Sequence, residues 1–243
     1  MKKKKKSYVI REIEGLYSSF RRINKDYGIA ALLDIAFYIF SFLVLSIMNL
    51  GLQSIFSEAD IQTMSLQKAA SVVVAYVFLA LIIFLAAVAF FKAKVWKIIT
   101  HKKYSAKTFY AFFLASLSWI ILWAVLIYLL SLITDISTGA MLTLFIILVY
   151  FTNVMSVLLA RTDSIKAVWQ SFKIGATKLV YYIIPFAFAI IILTLIGMLG
   201  NYLDGLYNGS YATMLLFFLY SVWFRFYFYN TTRRIMRWEE KRR

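Results

Sequence analysis

The segment that decides the fold is residues 162–174, TDSIKAVWQSFKI, which lies between two long apolar runs. Thr162 or Asp163 can cap a helix here, because a short side-chain oxygen accepts a free backbone N–H of the first turn. Lys166 and Lys173 lie off the apolar face of this helix. Between apolar runs, a short basic amphipathic helix is typical of a segment in the membrane surface; the alternative is a surface helix on a soluble core. The apolar face follows from spacings of three and four residues, at Ile165, Val168, Trp169 and Phe172.

The composition of the chain excludes a soluble globular protein. Of its 243 residues 63% are hydrophobic and only 16% are charged, with a mean hydropathy of +0.77. Soluble domains are about 45–50% apolar, so a water-facing surface could not be covered here. The absence of cysteine rules out disulfides and thiolate metal sites. We therefore predict a multi-pass membrane protein, with no room for a soluble catalytic domain.

Six apolar runs follow a basic N-terminal segment. Each run is long enough to cross a hydrocarbon core of about 30 Å, which takes about 20 helical residues. Only helices satisfy the backbone hydrogen bonds of such continuous runs in lipid. The prediction is an all-α integral membrane protein with a cytoplasmic segment 1–27, a six-helix domain 28–230 and a basic tail 231–243. The runs are 29–50, 69–91, 109–133, 139–160, 179–199 and 211–229.

The basic residues are sorted along the chain. Of the 27 Lys and Arg residues, 26 lie in residues 1–28, 92–108, 160–178 and 225–243, and the other is Lys68. The other connections carry Glu58, Asp60, Asp135 and Asp204. By the positive-inside rule, both termini are predicted to be cytoplasmic, in the cell membrane. This sorting explains the net charge of +16 without a nucleic-acid partner.

Three related segments precede the first, third and fifth runs. They read LYSSFR at 16–21, KVWKII at 94–99 and VWQSFK at 168–173. They predict short amphipathic helices at the cytoplasmic interface and a threefold repeat of one such helix plus a helical hairpin. The alternative is that every cytoplasmic junction carries Lys, Arg and Trp for anchoring, without duplication.

The run from Ser164 to Lys173, with AVW at 167–169, SFK at 171–173 and a tyrosine-rich start to the fifth span, carries a family resemblance. It resembles prokaryotic six-helix membrane proteins that include the membrane domain fused to some bacterial glycerophosphodiester phosphodiesterases. The resemblance implies a six-helix membrane module without established chemistry. The hydrolase domain of those fusions has no counterpart here, so no catalytic residues are carried over.

Polar residues inside the apolar runs are candidate functional groups. We expect Asp34 and Arg225 to meet, because charges within a membrane usually pair or line a wet cavity. The pair is either an ion-coupling site or a structural contact, and Arg225 can instead reach phosphate. Asn153 either lines a solute path or bonds another helix. Gly175 is predicted to mark the end of the interfacial helix. Pro185 is predicted either to kink the fifth span or, preferably, to mark the place where the chain turns from the interfacial helix into that span.

The predicted cytoplasmic face is strongly basic. Each Lys or Arg near an anionic leaflet contributes about 1 kcal/mol to binding. Trp96, Trp169 and Trp238 are predicted as interfacial anchors. The predicted headgroup-binding residues are Lys92, Lys94, Lys97, Lys102, Lys103, Lys166, Lys173, Arg233, Arg234 and Arg237.

Two hypotheses for function follow. The first is a non-enzymatic protein that binds anionic lipid at its cytoplasmic face and organises the membrane, a partner protein or copies of itself. The second is a small-solute or ion transporter or channel that uses Asp34, Asn153 and Arg225. No nucleophile, base, metal or cofactor motif favours an enzyme. A wet cavity reaching Asn153 would favour transport, whereas a dry bundle would favour the first hypothesis.

Overall fold

The described part of the chain is helical almost throughout. A computed structural model describes residues 8–21, 25–55, 66–133, 137–207 and 211–240. These residues form seven helices and no strand, which confirms the predicted all-α fold. The helices are α1 (Tyr8–Arg21), α2 (Lys25–Ile55), α3 (Leu66–Thr100), α4 (Ala106–Ile133), α5 (Thr138–Thr162), α6 (Lys166–Tyr207) and α7 (Tyr211–Glu240).

Helices α2 to α7 are each long and apolar enough to cross a membrane. Their number matches the six predicted runs, and the chain is a multi-pass membrane protein by the length and composition of these helices. The helices are longer than the apolar runs. Helix α6 has 42 residues, or about 63 Å at 1.5 Å per residue, about twice what a bilayer core requires.

Only one of the three predicted interfacial helices is separate. The amphipathic segment before the first span is α1. The segment 94–99 is instead the last part of α3, and residues 166–174 are the first part of α6. The reason lies in the turns. His101 is left-handed, with φ of 52°, and α3 ends there, after its basic segment rather than before it. Asp163, with φ of 49°, ends α5 before residues 166–174, which continue directly into the rest of α6.

Gly175 lies inside α6, so the predicted helix end there is wrong, and Pro185 lies within the same helix rather than between an interfacial helix and a span. Gly175 has a packing role: a Cβ atom there would come within 2.8 Å of the Phe151 ring. The carbonyl of Gly175 also accepts a hydrogen bond of 2.8 Å from the Tyr150 hydroxyl. Pro185 is buried, and it removes a single backbone donor from a helix that continues on both sides. A bend at Pro185 remains a prediction.

The buried core lies toward one end of the bundle, which we call the basic end. This end contains the beginnings of α2, α4 and α6 and the ends of α3, α5 and α7. Large buried side chains cluster in this half, whereas many apolar side chains of the opposite half are exposed. The core includes Trp96, Phe112, Leu159, Tyr182 and Phe228.

Helix α1 packs against α7 at the basic end. Arg234 Nη2 donates to Glu12 Oε2 at 2.9 Å, and Trp223 Nε1 donates to Ser19 Oγ at 3.1 Å. The Phe20 ring stacks on Trp223 with centroids 4.9 Å apart. The amphipathic N-terminal segment is therefore fixed to the bundle by specific contacts.

Candidate functional site

A cavity of about 380 Å³ lies among α2, α3, α5 and α7. Asp34, Lys92, Thr152, Asn153 and Arg225 lie between eight and eleven residues inside the ends of their candidate spans, or about 12–17 Å along the helix axes. Trp96 lies nearer the end of its span, four residues before Thr100. The cavity is therefore within the apolar part of the bundle. The polar groups on its wall are Asp34, Lys92, Trp96, Thr152, Asn153 and Arg225.

Asp34 and Arg225 form an ion pair on this wall. Arg225 Nη1 lies 2.7 Å from Oδ1 and 2.7 Å from Oδ2 of Asp34. Asp34 is buried, with its side chain 8% exposed, and Arg225 is 25% exposed. The contact joins α2 to α7 and confirms the predicted meeting of the first and sixth spans. Within the described residues, the remaining donors of Arg225 make no hydrogen bond, so they are available to a ligand in the cavity.

Lys92 brings a second positive charge to the cavity. From the sequence, Lys92 was instead predicted to contact lipid headgroups at the membrane surface. The difference arises because α3 continues to Thr100, which leaves Lys92 eight residues inside the helix. Among the described residues, Lys92 has no hydrogen-bond or ion-pair partner. The lining side chains, two cations and the Asp34 carboxylate, thus carry a formal charge of +1.

Trp96 also departs from its prediction as an interfacial anchor. It is 1% exposed and lines the cavity one helical turn from Lys92. Its Nε1 atom is buried and has no hydrogen-bond acceptor in the described structure. A buried N–H without a partner costs about 1–3 kcal/mol.

Asn153 and Thr152 supply the neutral polar part of the wall. Asn153 Nδ2 donates to the Val149 carbonyl at 2.8 Å, which leaves its Oδ1 as an acceptor for a donor in the cavity. Thr152 Oγ1 accepts a 2.8 Å hydrogen bond from Trp119 Nε1, which ties α4 to α5 beside the cavity. The three residues named for transport, Asp34, Asn153 and Arg225, therefore line one cavity.

Two other predicted headgroup residues are neutralised by carboxylates. Lys97 is buried, and its Nζ lies 2.8 Å from Asp163 in the turn before α6. Arg234 pairs with Glu12 of α1. Both cations hold helices together, so they do not form a free surface for phosphate.

The other predicted surface residues whose side chains the structure describes lie on the outside of the basic end. Lys94 lies over the Phe90 ring, with Nζ 4.3 Å from the centroid. Trp169 is 77% exposed, as an interfacial anchor requires. The side chains of Arg237 and Trp238 lie outside those described. Five of the predicted headgroup residues are exposed, namely Lys102, Lys103, Lys166, Lys173 and Arg233.

The sequence holds a signal that could have placed Lys92 and Trp96 inside. Both continue a stripe of α3 with spacings of three and four residues, in which Leu85 and Ala89 come before them and Ile99 after them. Leu85, Ala89 and Ile99 are buried. A basic residue on an otherwise buried stripe indicates a charged group inside the bundle.

Comparisons with known proteins give no assignment. The chain matches no family model, no curated protein and no solved structure. The resemblance to the phosphodiesterase-fused membrane domains therefore stays a hypothesis. Within the described ranges, no group of three His, Asp or Glu residues is placed to hold a metal ion.

Proposed function

We propose that this multi-pass membrane protein is non-enzymatic, binds a small anionic solute in the central cavity and carries it across the bilayer. The observation that supports this proposal is the charge of the cavity. Three of its four spans bring charged side chains to its wall, the cations Lys92 and Arg225 and a single carboxylate, that of Asp34. Of the two hypotheses from the sequence, this geometry favours transport, because a cavity with charged groups on its wall reaches Asn153.

The charge balance favours an anion over a cation or a neutral solute. Because Asp34 already pairs with Arg225, the charge of Lys92 is uncompensated by described residues. An unpaired charge in a membrane interior costs several kcal/mol. A bound anion would remove part of this cost, so the burial of Lys92 favours binding of an anion in the cavity.

The hydrogen-bonding groups also suit an anion. The free N–H groups of Arg225 are donors without acceptors among the described residues. The Lys92 ammonium adds three donors. Charge-assisted hydrogen bonds from such groups are about twice as strong as neutral ones.

The size of the cavity limits the solute. A volume of 380 Å³ corresponds to about a dozen water molecules at about 30 Å³ each. A small inorganic anion or a short carboxylate fits with part of its hydration shell. A nucleotide or a whole phospholipid is too large.

The orientation of the protein is part of the proposal. Both termini lie in the cytoplasm and the protein lies in the cell membrane, which the sorting of Lys and Arg supports. The basic end then faces the cytoplasm. Asp34 and Lys92 lie about 12–14 Å along their helices from that side.

Flux measurements on the full chain in proteoliposomes test the proposal. The probes are chloride, nitrate and acetate, with protein-free vesicles as the baseline. Lys92→Met removes the uncompensated charge, and we expect it to lower anion flux at least tenfold. Lys107→Met is the matched control, because Lys107 is exposed and does not line the cavity. Wild-type flux equal to the baseline for all three anions, or equal flux in both variants, would overturn the proposal.

A further inference from the structure

A second cationic concavity lies at the surface of the basic end, apart from the central cavity. This groove has a volume of about 620 Å³ and is formed by the end of α5, the first part of α6, the connection after α3 and the α7 residue Met236. Its four cations are Lys102, Arg161, Lys173 and Lys178. Among the described residues, no carboxylate lines the groove.

Contacts within the groove fix two of these cations. Lys102 Nζ donates to the Arg161 carbonyl at 2.6 Å, which holds the α3–α4 connection against the end of α5. Arg161 Nη1 contacts Met236 Sδ at 2.9 Å, and sulfur is only a weak acceptor. The guanidinium therefore keeps most of its hydrogen-bonding capacity for a stronger acceptor.

The neutral polar groups of the groove are mostly used within their own helices. Thr162 Oγ1 donates to the Leu158 carbonyl at 2.9 Å, and Thr177 Oγ1 donates to the Lys173 carbonyl at 2.7 Å. The charged side chains are therefore the groups that recognise a ligand here. Charge complementarity then requires an anionic ligand, and phosphate suits a cluster of Arg and Lys.

The position of the groove indicates that the phosphate belongs to a lipid. Candidate spans end at Thr100, Thr162 and Met236 and another begins at Lys166, so the groove lies where the spans meet the membrane surface. Its remaining wall is apolar, from Leu158, Ile174 and Met236. Cations beside apolar surface match the phosphate and the adjoining glycerol and acyl carbons of a phospholipid.

We propose that this groove is a binding site for the phosphate headgroup of an anionic phospholipid. The site is independent of the central cavity, and it gives the predicted lipid-binding face a location. Lys102 and Lys173 were predicted headgroup residues, and the structure adds Arg161 and Lys178 to them. Lys97 and Arg234 are outside the site because carboxylates neutralise them.

The test measures lipid retained by the purified full chain in detergent, by native mass spectrometry. The chain is titrated with phosphatidylglycerol, with phosphatidylcholine as the zwitterionic comparison. The groove variant is Arg161→Gln with Lys173→Gln. The matched control is Lys103→Gln with Lys166→Gln, which removes the same charge from exposed residues of the same end that do not line the groove. Thermal unfolding checks that both variants fold, and the single variant Lys173→Gln replaces the double variant if Arg161 proves necessary for folding.

The groove variant is expected to bind phosphatidylglycerol at least tenfold more weakly, whereas the control changes less than twofold and phosphatidylcholine stays weak for every protein. For Lys173→Gln alone, a loss of about fivefold is expected. An equal loss in groove and control variants would mean diffuse surface attraction and would overturn the site. Full displacement of phosphatidylglycerol by equimolar inorganic phosphate would overturn its assignment to lipid.

Discussion

The half of the bundle at the basic end and the opposite half are held together differently. In the basic half, ion pairs join helices that are distant in sequence, as between Asp34 and Arg225 and between Lys97 and Asp163. In the opposite half, large apolar side chains such as Phe42, Leu129 and Met214 are at least half exposed. Lipid tails are as apolar as these side chains, so their burial in protein brings little gain. Polar contacts and close packing therefore determine where the helices are fixed to one another.

Two hydrogen bonds of the opposite half lie within hairpins. Asp204 Oδ1 accepts a 2.9 Å hydrogen bond from the Ala212 backbone N–H, which closes the α6–α7 hairpin. The Tyr76 hydroxyl donates to the Ile47 carbonyl at 3.3 Å between α2 and α3. These two hairpins are therefore each closed by a contact of their own, and the central cavity lies in the half where the hairpins meet.

The largest effect is expected from breaking the pair on the cavity wall. Arg225→Met leaves the buried Asp34 carboxylate without its partner, and loss of one member of a buried pair costs about 3–5 kcal/mol. Because Arg225 is partly exposed, the lower end of this range is expected. Chemical unfolding of the purified protein in detergent measures the loss.

The double variant Asp34→Arg with Arg225→Asp is the control for this prediction. It restores opposite charges at the same two positions, so it should regain at least half of the lost stability. A single variant that unfolds like the wild type would show that the pair does not fix α2 to α7.

A smaller effect is expected at the pair that joins α3 to the turn before α6. Lys97 is 3% exposed and Asp163 is 24% exposed, so water can partly solvate the carboxylate when Lys97 is replaced. Lys97→Met should therefore cost about 2 kcal/mol, less than the loss expected at Arg225. The double variant Lys97→Met with Asp163→Asn removes both charges and should recover most of this loss. Equal instability of the single and double variants would contradict the role of the charge pair.

The same comparison explains how much could be predicted from the sequence. The six spans follow from the length of the apolar runs, and the contact of Asp34 with Arg225 follows from the cost of an unpaired charge in lipid. The burial of residues 92–99 could not be predicted from the sequence, because this segment mixes basic and apolar side chains. Its burial depends on where α3 ends, and this is set by the left-handed turn at His101. Local spacing does not specify such a turn.

The three related segments show the same limit. Residues 16–21 lie in the separate helix α1, 94–99 end α3, and 168–173 begin α6. Similar patterns thus adopt different local structures. The groove at the basic end also brings together Lys102, Arg161 and Lys173 from one connection and two helices, a proximity that only the tertiary structure determines.

The smallest effect is expected in the opposite half. Phe42 of α2 is 70% exposed, so Phe42→Ala removes a ring that lies mostly against lipid. Substitutions at exposed positions change stability by about 0.5 kcal/mol or less. Phe112→Ala is the matched control, because Phe112 is the same residue type, is 1% exposed and packs in the basic half; there a cavity costs about 3–5 kcal/mol. Unfolding of both variants in the same detergent measures the difference, and equal losses would show that the two halves are packed alike.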